Sequence, residues 1–199
     1  MLLYSIIILI SSALIMGVNV LFHPGNEPWY YYIYWTVIFV VGAFIIDALV
    51  AFIIRWVWPK KWFNTNNKMF ITSYNEMKFY RFIGLNKWKN KLPELGGFTN
   101  FHKDKFANPN DNKYVSRFIE EACYGVAIHE LSVPFGFLIL LLDYRIYLGT
   151  TNFIFLTIGL PVAIINGILI LLPAFILKNN LYRLRNIYKS NQAKEKPMI

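Results

Sequence analysis

Apolar residues fall along this chain in four long runs, roughly Leu2 to Leu21, Tyr30 to Val57, Ala122 to Leu142 and Phe153 to Ile176. A helix needs about 20 largely apolar residues, rising 1.5 Å each, to cross a hydrocarbon core of about 30 Å. All four runs meet that length. Their apolar character is continuous rather than alternating, and they are too long for the strands of a membrane barrel. Inside a bilayer the backbone can bond only to itself, so helices are the remaining solution. The pattern predicts an all-α polytopic membrane protein with about four transmembrane helices, forming one membrane domain over residues 1–199. Between the first two runs, FHPGNEPW carries Pro24, Gly25 and Pro28, which break helical continuity in a short surface turn. Tyr30, Tyr31, Tyr32, Tyr34 and Trp35 follow as an aromatic belt.

The polar segments differ from one another in charge. Of the 20 Lys and Arg residues, 12 lie in residues 60–121 and 6 in residues 178–199, leaving Arg55 and Arg145 elsewhere. Basic residues stay on the cytoplasmic side during insertion. The segment 58–121 and the tail 178–199 are therefore read as cytoplasmic, with both termini inside and the loops FHPGNEPW and DYRIYLGTTN outside. In the longer segment aromatic and basic residues alternate, as in Trp56, Trp58, Lys60, Lys61, Trp62 and again in Phe79, Tyr80, Arg81, Phe82. That mixture suits an amphipathic helical segment at the headgroup level. Gly96-Gly97 and residues 108–111 read as turns within it. The N-terminal run lacks a charged leader and exceeds the usual apolar length of a signal peptide, so it reads as a retained helix.

The composition narrows the function classes. The chain is 56% hydrophobic and 18% aromatic, above the apolar share of an ordinary soluble domain. Its net charge of +9 flanks apolar runs and contains no zinc-finger or RNA-binding signature, which favours anionic lipid over nucleic acid as partner. Cys123 is the single cysteine, which excludes an intramolecular disulfide. His23, His102 and His129 are far apart and no H-E-x-x-H occurs, so no metal or bound cofactor is expected. The nucleophile elbow of serine hydrolases and the P-loop are also missing.

Ionisable residues entering an apolar run are the candidates for chemistry. In FIEEACYGVAIHELSVPFGF, Glu121, Gly125 and His129 recur every four residues and share one helix face, while Glu130 points about 100° away. The spacing leaves two readings open. His129 can act as general base on a hydroxyl with Glu121 as its helper or a substrate ligand. Alternatively, Glu120, Glu121 and His129 simply sit at the interface among nearby lysines. Asp47 is the one carboxylate well inside a run, and Asn166 lies within the fourth. Both read first as hydrogen-bonding links between helices, and second as the lining of a substrate or proton path.

Residues 79–185 resemble the glycosyl-4,4′-diaponeurosporenoate acyltransferases, small membrane enzymes of carotenoid biosynthesis. The resemblance rests on the family's Trp-Lys-x-x-Leu-Pro stretch, matched by Trp88, Lys89, Lys91, Leu92 and Pro93, and on Phe101 and Lys103 at a following Phe-x-Lys. A Glu, seven residues, His pattern falls on Glu121 and His129, and an Asn-x-x-Arg-Leu element on Asn180, Arg183 and Leu184. Val126 stands where the family often carries a second Glu, Glu130 where it carries an aromatic, and Leu177-Lys178-Asn179 where it has Gln-Arg-Tyr.

The resemblance implies transfer of a fatty acyl group onto a hydroxyl of a glycosylated membrane lipid at the cytoplasmic face of the cell membrane. An acyl thioester on coenzyme A or an acyl carrier protein would be the co-substrate. His129 and Glu121 would be catalytic, and Trp88, Lys89, Lys91, Lys103, Asn180 and Arg183 would bind substrate. The residues themselves leave two other classes open, a non-enzymatic subunit docking through its basic segment and a small transporter lined by Asp47 and Asn166.

Overall fold

The computed structural model describes residues 2–22, 27–64, 66–92, 108–143 and 154–195. The turn expected at Gly96-Gly97 lies outside them, as do Pro24, Gly25 and residues 144–153. All regular structure among the described residues is helical: α1 (Leu2–Phe22), α2 (Trp29–Phe52), α3 (Tyr74–Phe82), α4 (Leu85–Trp88), α5 (Asn112–Gly136) and α6 (Leu160–Glu195), joined by short 3-10 and π turns. With their flanking turns, α1, α2, α5 and α6 are long and apolar enough to cross a membrane. These are the four runs read from the sequence.

Two of the four differ from expectation in length. The third begins at Asn112 rather than at 122, because Asp111 caps it: its Oδ1 accepts from the backbone N–H of Lys113 at 2.9 Å and of Tyr114 at 3.2 Å. The turn expected at 108–111 thus ends in a helix start. The fourth continues through the basic tail to Glu195, so that α6 with its 36 residues is about 54 Å long. No Gly or Pro interrupts residues 174–195, and Leu181 and Leu184, three apart, are buried. Polarity ends the membrane-embedded stretch without ending the helix. The segment 58–121, expected to be helical and amphipathic, is helical in its described part only as α3, α4, the start of α5 and isolated 3-10 turns.

The chain divides into two compact units, one built from Leu2–Ile53 and Glu130–Leu171, the other from Ile54–His129 and Leu172–Ile199. In the first, the aromatic belt splits between two faces of α2. Tyr32, Trp35, Phe39 and Ala43 form a buried stripe at helical spacing, while Trp29, Tyr30 and Tyr34 are exposed. The stripe packs on Ile139, Ile154, Ile158, Val162 and Ala163. A Cβ on Gly159 would stand 2.9 Å from Phe39, so only glycine lets that ring approach. A π turn over Phe155–Gly159 precedes α6, and in it the carbonyl of Thr157 accepts from the Asn19 amide at 3.0 Å. The Asn166 amide donates to Asp47 Oδ2 at 3.1 Å, and the Ser132 side chain also bonds this carboxyl. Asp47 and Asn166 therefore link helices, the first of the two roles expected of them.

In the second unit, Val115, Ile119, Ala122, Cys123 and Val126 make the buried stripe of α5. Gly125 allows close packing on α6, since a Cβ there would meet Leu177 at 2.7 Å. The segment before α3 lies against these helices through Phe63, stacked on Tyr124 with ring centroids 4.1 Å apart, and through Thr72, whose hydroxyl donates to the Lys178 carbonyl at 2.9 Å. Gly84, at φ 64°, ends α3 in the left-handed region and turns the chain into α4.

The Asp47–Asn166 bond has a measurable consequence. Asn166→Ala is expected to destabilise the folded protein by about 1 kcal/mol, the typical worth of an interhelical side-chain bond in a membrane. Unfolding of the purified variant in detergent measures this, and an unchanged midpoint would remove the bond's structural role.

Candidate active site

Glu121 stands in the third turn of α5, and its partner comes from the π turn that ends the second span. Arg55 Nη2 donates to Glu121 Oε2 at 3.0 Å, with both side chains partly exposed. The Arg55 guanidinium also lies 5.6 Å from the centroid of the Tyr124 ring, which is itself stacked on Phe63. An aromatic column therefore supports the cation, and the cation holds the carboxylate. Glu121 keeps Oε1 outside any hydrogen bond among the described residues.

His129 lies eight residues further along α5, about 12 Å by helical rise. It is partly buried and has no hydrogen bond or ion pair among the described residues. The two residues lie on one helix face, as their spacing indicated, without touching. Glu121 does not orient the imidazole directly. Among the described residues nothing engages either imidazole nitrogen.

The substrate-binding candidates are dispersed. Trp88 Nε1 donates to the Ile83 carbonyl at 3.0 Å, and the ring packs on the cluster of Tyr80, Leu85 and Ile176. This gives Trp88 a place in the fold whatever it does for a substrate. Lys89 follows in a 3-10 turn with Lys91. Asn180 is half-buried and Arg183 exposed, three residues apart on one side of α6. Lys103 lies outside the described residues. Among the described residues no three of His, Cys, Asp and Glu gather closely enough to hold a metal ion.

Three further charged groups shape this unit, and spacing alone did not single them out. Lys178 Nζ bonds Glu76 Oε1 at 2.8 Å, tying α3 to α6. Glu76 also closes a capping box with Ser73. Burial pushes the Glu76 carboxyl up, but bonds from Lys178 and Ser73 outweigh it and hold the group below the usual carboxylate range. Arg185 is the third. Its Nη2 donates to the Asn67 carbonyl at 3.2 Å and its guanidinium lies beside the Cys123 thiol. The Nε and Nη1 atoms are sealed from the surface without a partner among the described residues. Arg185 is thus a charge enclosed in the packing, not one presented to a ligand. Only a three-dimensional arrangement brings 55 to 121 or 67 to 185.

The sequence profile of the glycosyl-4,4′-diaponeurosporenoate acyltransferases matches residues 59–190. The chain belongs to that family. No curated protein and no solved structure matches it. Membership makes the chain a membrane-associated acyltransferase of carotenoid biosynthesis. The matched region runs from the end of the second span to the tail, and so contains all the candidate residues named above. It leaves out Arg55, the partner of Glu121.

Two outcomes follow from the ion pairs. A double-mutant cycle of Arg55→Ala and Glu121→Ala, read by unfolding in detergent, should give a coupling of about 1 kcal/mol, whereas additive effects would mean that the pair contributes nothing. Glu76→Gln should cost about 0.5–1 kcal/mol at pH 7. A depressed folded pKa contributes stability above the unfolded value, and that stability fades as pH falls through the folded one. The wild-type advantage over Glu76→Gln should therefore begin to shrink near the ordinary value of 4.5 and vanish at lower pH. A difference independent of pH would refute the ion-pair account.

Proposed function

We propose that this acyltransferase moves a fatty acyl group from an acyl thioester onto a sugar hydroxyl of a glycosylated membrane lipid, a carotenoid glycoside or similar glycolipid. The reaction takes place at the cytoplasmic face of the cell membrane, with both termini on that side. The orientation is supported by the concentration of Lys and Arg in 60–121 and 178–199. The observation that carries the reading is the imidazole of His129, without a hydrogen bond among the described residues, on the helix face that also bears Glu121, in a family of acyltransferases.

In this reading a nitrogen of His129 takes the acceptor's hydroxyl proton as the oxygen attacks the thioester carbonyl. The carbon–oxygen bond forms, the carbon–sulfur bond breaks, and the departing thiolate receives the proton from the imidazolium. Glu121, fixed by Arg55, accepts a second hydroxyl of the sugar through its remaining oxygen and so orients the acceptor. Lys89, Lys91 and Lys103 attract the phosphates of coenzyme A or of an acyl carrier protein. Trp88, Asn180 and Arg183 complete the substrate contacts.

Lipid extracts from cells expressing the wild-type chain or His129→Ala, at equal membrane abundance, test the reading by mass spectrometry. A lipid that gains a fatty-acyl mass only with the wild type is the expected result, with product falling at least about 100-fold in the variant, the usual worth of a general base. Equal product in both would remove His129 from catalysis.

A further inference from the structure

From the end of the second span onward, the unit containing Ile54–His129 displays large apolar side chains that a water-facing surface would not keep. Phe82 is 89% exposed, Trp56 78% and Tyr74 70%, and Trp58, Trp62, Met69, Ile71 and Phe79 are also exposed. They are interspersed with cations, since Lys60, Lys61, Lys78 and Arg81 are exposed as well.

The short helix α3 shows how this surface is organised. Tyr80 marks its inner face, packed with Leu85 and Ile176, and Phe175 contacts the rings of both Phe79 and Tyr80. The Glu76–Lys178 pair fixes the same face. At 100° per residue, Phe82 and Lys78 point nearly opposite Tyr80, with Tyr74 and Arg81 beside them. The Lys78 ammonium lies 5.3 Å from the Tyr74 ring centroid. The outward face of α3 is therefore aromatic and cationic together, with nothing from the described chain covering it.

Two markers place this face at the depth of the membrane boundary. Phe175, against which α3 packs, lies near the end of the apolar stretch of α6, where Ile176 and Leu177 lead to Lys178 and Asn179. Trp56 stands beside Val57 at the end of the second span, Trp58 and Trp62 follow it, and the Trp58 and Trp62 rings meet edge to face at 5.8 Å. Aromatic rings with adjacent ammonium groups, held level with the ends of spanning helices, match the acyl boundary below and phosphate groups above.

We propose that the outward face of α3 and the tryptophan-rich stretch 56–62 form a docking surface for anionic phospholipid headgroups. The rings of Phe82, Trp58 and Trp62 enter the acyl boundary, while Lys60, Lys61, Lys78 and Arg81 pair with phosphates. Charge complementarity selects an anionic occupant, because an uncharged or basic partner would leave four cations unmatched around the rings. The surface is independent of acyl transfer and holds even for a chain that transfers nothing.

A nitroxide at Phe82→Cys, in a Cys123→Ala background of the full-length chain reconstituted in phosphatidylcholine vesicles with phosphatidylglycerol, tests the placement. Collisions with oxygen should exceed those with a water-soluble nickel chelate several-fold at this site, and the order should reverse at Gln192→Cys on the exposed end of α6. A label at 82 that meets the nickel chelate as freely as one at 192 would overturn the proposal. So would a label reached by neither reagent, which would mean that protein covers the face. The charges are tested separately by Lys60→Gln, Lys61→Gln and Lys78→Gln, none of which belongs to the catalytic reading. Each should weaken preference for phosphatidylglycerol over phosphatidylcholine about fivefold, counted as lipid bound to the purified protein. An unchanged preference in the triple variant would overturn the electrostatic half.

Discussion

A peptide group in hydrocarbon has no water to bond, and leaving one N–H or C=O unmet costs several kcal/mol. That constraint makes each apolar run of this chain a helix. It also explains why exceptions to regular helix come with partners. The π turn over Phe155–Gly159 coincides with the Asn19 amide reaching the Thr157 carbonyl at 3.0 Å, a side chain supplying what the altered backbone register frees. The polar side chains within the spans follow the same rule. Asp47 occurs where Asn166 and Ser132 both reach its carboxyl, so a group that lipid would exclude becomes a link between helices.

The constraint lapses where the apolar runs end, but α5 and α6 do not stop there. Asp111 starts α5 ten residues before its apolar run, and α6 carries a buried stripe through Leu181 and Leu184 into the basic tail. These extensions give unit Ile54–His129 and Leu172–Ile199 its frame, against which the segment before α3 packs by Phe63 and Thr72. The frame has a chemical consequence. Residues on α5 are rigidly indexed along one helix, so Glu121 and His129 share a face at a separation fixed by helical rise. A ligand that meets both residues must lie along the helix, since they do not bond to each other.

What the sequence made legible follows from the physics that each feature depends on. The spans were readable because hydrophobic length is a one-dimensional property, and the Asp47 and Asn166 links because few alternatives exist for a polar group in a span. The apolar runs do not reveal how far α5 and α6 extend, because the end of an apolar run is not the end of a helix. Beyond the bilayer, capping by Asp111 and buried leucines decide that boundary instead. The Glu76–Lys178 and Arg185–Asn67 contacts, 102 and 118 residues apart in the chain, have no periodic signature. The family pattern points to Glu121 and His129, yet it carries no sign that the carboxylate already has a cation.

That cation bears on which role Glu121 can fill. A carboxylate that already accepts from Arg55 at 3.0 Å offers its remaining oxygen as a hydrogen-bond acceptor. It is therefore a good acceptor for hydroxyls. Direct support of an imidazolium would require contact, and about 12 Å of helix intervenes. In the proposed reaction, proton transfer would fall to His129 and acceptor alignment to Glu121, because neither the imidazole nitrogens nor the second carboxylate oxygen has a hydrogen bond among the described residues. Arg55 would then act through Glu121. Its contribution would appear in the binding and orientation of the acceptor more than in the proton transfer itself, which separates it from His129 although both serve one substrate.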